Sequence, residues 1–168
     1  CIRDRAYDLY PVHFQNRYGY LNDHREHRFK LNGFVTLPGD WVISFAYFYE
    51  SPFRWEPQAL PPDSGGEFEG QPVPVIPYGV WYAEERGNRE GDALQELDLQ
   101  LAKGFRVGPT RLVLIGSVLN ALSSENAVTV CGFISGCGFD GDGSPIGLGD
   151  SISWQLPRRY EVGLRFEF

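Results

Sequence analysis

The side chains with the most chemical promise are two neighbouring cysteines, a short His-containing run and several crowded carboxylates. Cys131 and Cys137 are six positions apart, with Gly132, Gly136 and Gly138 around them. In an oxidising compartment such a pair is expected to form a local disulfide. Zinc is the rival, but it needs two further ligands, and all three histidines lie in the first 27 residues. Cys1 fits either a lipidated mature N-terminus or a fragment boundary. Asp23-His24-Arg25-Glu26-His27 has two histidines three apart, a spacing that puts them on one face only in a helix. The run leads into a strand pattern, so a solvated polar loop is expected. Asp140-Gly141-Asp142-Gly143 resembles the opening of a calcium loop, but the later acidic ligands are missing. Glu84 and Glu85 are adjacent on an acidic stretch, where solvation explains them. No nucleophile elbow, Ser-His-Asp order or phosphate loop is present, so no catalytic residue, metal site or cofactor is expected.

The elements that would position these groups are strands. Aromatic residues make up 15% of the 168 residues, Lys occurs only at Lys30 and Lys103, and 20 Gly and 12 Pro punctuate short apolar runs. No Met occurs, even at position 1, which reads as a processed product or a fragment. There is no apolar run long enough for a membrane helix and no signal peptide at the start, neither of which bears on a barrel. The net charge of −7 argues against nucleic acid, whose phosphates call for a basic surface.

Five stretches alternate with period two. From about His27 to Leu37, Phe29, Leu31, Val35 and Leu37 oppose Arg28, Lys30, Asn32 and Thr36, with Phe34 breaking the polar face. After a Pro38-Gly39-Asp40 turn, Trp41, Ile43, Phe45, Tyr47 and Tyr49 share a face. Leu94 to Phe105 fits helix and strand about equally, because Leu94, Leu97 and Leu101 have helical spacing. The following Gly108-Pro109-Thr110 turn and the run Arg111 to Leu119 favour a hairpin. Tyr160 to Phe168 alternates almost without fault. Between these lie two long connections, about 51–93 and 123–158. The first holds seven prolines and sets eight carboxylates against three arginines, a net of −5.

Strands of about ten residues with short turns at one end and long loops at the other suit an all-β, antiparallel transmembrane barrel segment. It would have five or six strands and would not close by itself. Residues 1–26 would be an outer loop or a preceding strand, and 27–168 the C-terminal strands. Trp41 and Phe168 are then expected at the lower membrane interface, with Tyr47, Tyr49, Phe53, Trp55 and Tyr160 at the upper one.

The last eight residues, Glu161-Val162-Gly163-Leu164-Arg165-Phe166-Glu167-Phe168, resemble the terminal strand of bacterial outer-membrane barrels, which commonly end in an aromatic residue and follow the form polar, any, Gly, two of any kind, hydrophobic, any, hydrophobic. That resemblance implies an assembly signal carried by Glu161, Gly163, Phe166 and Phe168. Val118-Leu119-Asn120-Ala121-Leu122, the Gly-rich loop through Gly149-Asp150, and Trp154-Gln155-Leu156-Pro157-Arg158-Arg159-Tyr160 are similar to the C-terminal portion of TonB-dependent receptors. The likeness is firm over about 94–168, looser upstream, and faint in residues 1–26. It implies a bacterial outer-membrane location and uptake of a nutrient or metal chelate. The implied partners are the remainder of the barrel and its plug, lipid and lipopolysaccharide, and an energy-transducing inner-membrane partner acting through segments not found here. Trp55, Tyr78, Trp81 and Tyr82 would line a ligand-contact loop. A partner-holding role at the cell surface and a soluble β-sandwich are the alternatives.

Overall fold

The computed structural model describes residues 11–61 and 65–168; Cys1, and with it the expectation of lipidation, lies outside them. The described chain is all-β apart from one short 3-10 turn, Pro11–Phe14. Five long strands, β1 (Arg28–Leu37), β2 (Trp41–Glu50), β9 (Leu94–Val107), β10 (Thr110–Leu119) and β13 (Arg159–Glu167), form one antiparallel sheet in the order β1-β2-β9-β10-β13. Between them run two-residue strands: β3 (Arg54–Trp55), β4 (Gln58–Ala59), β5 (Glu67–Phe68), β6 (Gln71–Pro72), β7 (Trp81–Tyr82) and β8 (Arg89–Glu90). Two four-residue strands, β11 (Ala127–Val130) and β12 (Ser151–Trp154), complete the set. No sheet among the described residues closes on itself.

The ambiguous Leu94 segment is strand throughout, and it runs two residues past the expected end at Phe105. The reason lies in the turn. Gly108 takes φ 63° at the first central position of a two-residue connection, which frees Thr110 to pair with Val107. Glycine is favoured there because the resulting twist matches that of the flanking strands. The Pro-rich connection forms only two-residue ladders, β3 with β8, β4 with β7 and β5 with β6, as expected where proline withholds its N–H from a ladder.

By contact, the chain divides into two units. One gathers the described residues of the connections, 11–24, 53–61, 65–91 and 127–153; the other holds the five-stranded sheet. The first has its own core, in which Ala59, Val73, Ile76 and Trp81 pack together with Val12, Phe68, Ala83 and Ile134. Apolar residues that look like loop decoration in the sequence are therefore the interior of a folded body.

Candidate functional site

The sheet is the first candidate site, because its register sorts the side chains. Phe29 faces Tyr49 and Leu31 faces Tyr47 across β1 and β2, while Ile43 faces Leu101 and Phe45 faces Leu99 across β2 and β9. Leu101 then pairs with Gly116, Gly116 with Val162, and Leu114 with Leu164. Every strand thus contributes its apolar set to the same face. The opposite face collects most of the polar side chains, Arg28, Lys30, Asn32, Ser44, Asp98, Gln100, Ser117, Glu161 and Arg165, with Phe34, Val42, Phe48, Val113 and Ile115 interspersed among them. No layer covers the apolar face within this unit: Val162 is 81% exposed and Leu164 61%. Trp41 stands at the turn end of that face. Tyr47 and Tyr49 lie half-buried near the loop end, where Phe29 tilts against Tyr47, and Tyr160 is exposed at the start of β13.

Of the terminal motif, Phe166 sits on the apolar face opposite Leu112, Glu161 on the polar face opposite Ser117, and Gly163 opposite Ile115. Phe168 follows β13 fully exposed.

The loop ends of the strands are fastened by buried polar groups. Glu50 is 7% exposed and pairs with Arg25 at 3.2 Å and with Arg28. Arg25 also donates to the Ser51 and Asp92 carbonyls, at 2.8 and 3.2 Å. Of the run 23–27, Asp23, His24, Glu26 and His27 are exposed, as expected of a solvated loop, and Arg25 is the exception, its side chain only 8% exposed. At the top of β10, Asn120 (φ 49°) is buried. Its side-chain amide donates to the Ser124 and Leu156 carbonyls at 3.0 and 2.8 Å and accepts from the Ser124 amide at 3.2 Å. Its backbone N–H donates to Asp98 at 2.9 Å. A short amide side chain that tolerates positive φ can do all of this at one corner.

The folded connections are the second candidate site. Phe53 and Trp55, expected at the membrane interface, are buried within this unit, as is Trp81, so packing accounts for their bulk. Of the four residues expected to contact ligand, Tyr78 is exposed with its ring edge against His13, and Tyr82 is half-buried under the Arg86 guanidinium. Arg89 lies over Trp55, 5.4 Å from the ring, and grips Glu84 at 2.5 Å and Glu69 at 3.2 Å. Hydrogen bonding from Arg89 holds the Glu84 carboxyl below its ordinary range, and the same bond raises Arg89. Glu56, one of the eight carboxylates of the 51–93 connection, is buried; it accepts from the Gly87 amide at 2.9 Å, with Arg86 at 3.6 Å. Nothing in the sequence separates Glu56 or Glu50 from the acids that do face water.

The Cys131 and Cys137 sulfurs are 2.06 Å apart, at disulfide distance, and their Cα atoms are 5.8 Å apart. The Asp140 carboxylate accepts from the amides of Asp142 and Ser144 at 3.0 and 2.8 Å, closing its own turn. Among the described residues no group of three or more His, Cys, Asp or Glu side chains is arranged to hold a metal ion. In comparisons with known proteins, no family model, no curated protein and no solved structure matches the chain.

Proposed function

We propose that this chain is a wall segment of a bacterial outer-membrane β-barrel of the kind TonB-dependent receptors form, in which five strands cross the membrane. Its folded connections would stand on the outer side and help to capture a nutrient or metal chelate for import. The carrying observation is the uncovered apolar face that runs across all five strands. In water each large apolar side chain left exposed forgoes about 1.5–3 kcal/mol of burial, a loss that lipid removes. Ten residues at about 3.3 Å each, tilted as barrel strands are, span the apolar band of about 25 Å that such membranes present. The aromatic residues at both ends of the face suit its two interfaces, and the polar opposite face suits a lumen. On this reading the remaining wall, the plug and the energy-transducing partner lie in other segments, and this chain performs no catalysis.

Spin labels test the assignment. In proteoliposomes, labels at Leu101 and Val162 should collide more often with oxygen than with a water-soluble nickel chelate, and labels at Gln100 and Glu161 should show the reverse. Shielding of Leu101 and Val162 from both reagents would mean that a second apolar layer covers the face, and the soluble β-sandwich would replace the barrel.

A further inference from the structure

Among the described residues on the apolar face of the five strands, Lys103 is the single charged one. It lies opposite Trp41 on one side and Leu114 on the other. Its ammonium sits 4.8 Å from the Trp41 ring and 5.6 Å from the Phe105 ring, and it donates to the Gly39 carbonyl in the β1–β2 turn. A lysine at this height reaches for the interface. Three donors are available on an ammonium, and the carbonyl takes one.

A groove of about 290 Å³ opens beside this cation, lined by Trp41, Lys103, Phe105, Leu114, Gly116 and Val162. Lys103 supplies its one charged side chain. Its far end passes over Gly116, where a side chain would meet nothing within 4 Å. The hollow therefore runs from a cation at the turn end of the strands into an open apolar channel along the sheet face. An isolated anchoring lysine needs no such channel.

The geometry points to a binding site for one phospholipid of the inward-facing leaflet: the groove takes an acyl chain, and Lys103, steadied by Trp41 and Phe105, pairs with an anionic headgroup phosphate. This rests on the barrel reading, which makes the face lipid-facing and the turn end periplasmic. Charge complementarity selects the occupant, because a lone cation at the mouth of an apolar channel matches a ligand with one negative head and a hydrocarbon tail.

Native mass spectrometry of the protein isolated from its own membrane in mild detergent tests the site, with dioleoyl phosphatidylglycerol or dioleoyl phosphatidylcholine added at equal concentration. The anionic lipid should be retained about fivefold over the zwitterionic one, the increment of one basic residue at a membrane surface. Lys103→Gln should bring the ratio close to unity by lowering retention of the anionic lipid and leaving that of the zwitterionic one unchanged. Gly116→Leu, which fills the channel and keeps the charge, should reduce retention of both lipids. Lys30→Gln, on the opposite face, should alter neither. An unchanged ratio in Lys103→Gln, an equal loss in Lys30→Gln, or no preference in the parent protein would overturn the site while leaving the barrel standing. A protein that stays monomeric and soluble without detergent would remove the barrel reading and the lipid site together.

Discussion

Replacing Asn120 with alanine should loosen the corner where β10 ends and the approach to β13 is tied down. Three hydrogen bonds of the buried side chain disappear, and Ser124 N–H and the Ser124 and Leu156 carbonyls lose their partner. At about 1 kcal/mol net for each bond, that is about 3 kcal/mol. The backbone at φ 49° adds about 1 kcal/mol for a residue that dislikes the left-handed region. The expected total of about 4 kcal/mol corresponds to amide exchange about a thousandfold faster at the corner. The reporters are Ala121, whose N–H bonds the Leu97 carbonyl at 2.7 Å, and Ser123, bonded to the Asn120 carbonyl at 2.9 Å. Asn120→Gly separates the two contributions, because it accepts the backbone angle and loses only the side-chain bonds, so about 3 kcal/mol is expected. Hydrogen exchange read by mass spectrometry in detergent micelles gives both values. Protection at Ala121 and Ser123 within fivefold of the parent for Asn120→Ala would refute the reasoning, as would Asn120→Gly being the worse of the two.

At Glu50, substitution by alanine removes the carboxylate that neutralises the nearly buried Arg25 and should cost about 3–5 kcal/mol in denaturant unfolding; Arg28→Ala, at a side chain 61% exposed, should cost under about 1 kcal/mol. Non-reduced peptide mapping should recover Cys131 linked to Cys137, and the double alanine variant should lose about 2 kcal/mol, the contribution of a short closed loop, from the unfolding free energy. Because the folded state holds Glu84 below its ordinary value, its link to Arg89 stabilises above the unfolded pKa, near 4.5, and fades as the pH falls through the lower folded one. Acid titration followed by protease nicking between Glu84 and Arg89 should show that window, and Glu84→Gln should abolish it.

The five strands were legible because period-two alternation survives wherever one face of a sheet differs from the other, as in Tyr160 to Phe168. Turn chemistry then settled Leu94 to Val107, where leucine spacing alone fits both helix and strand: Gly108 demands a hairpin that a helix cannot use. The folded connections were not legible. Phe53, Trp55 and Trp81 carry no periodic signal, since their partners come from three separated stretches of chain. Proline-rich composition described the local backbone correctly while concealing the core built on it. The buried acids were missed for a related reason. Glu50 and Glu56 are distinguished only by the guanidinium groups and amide that converge on them, and those come from Arg25, Arg28, Arg86 and Gly87.

Five antiparallel strands are an odd number, so the outer strands β1 and β13 point the same way. Were a second copy to enter the membrane with its loops on the same side, its β1 would lie parallel to the first copy's β13. The antiparallel ladder would be interrupted at each junction. A copy that paired edge to edge in antiparallel fashion would stand upside down. Rings of this segment alone are therefore incompatible with an unbroken antiparallel wall. On the proposed barrel reading, whatever completes the wall must supply an odd count of strands, beginning and ending with one that runs against β1 and β13. Counting strands in any candidate neighbour is thus a parity check that needs no knowledge of its sequence.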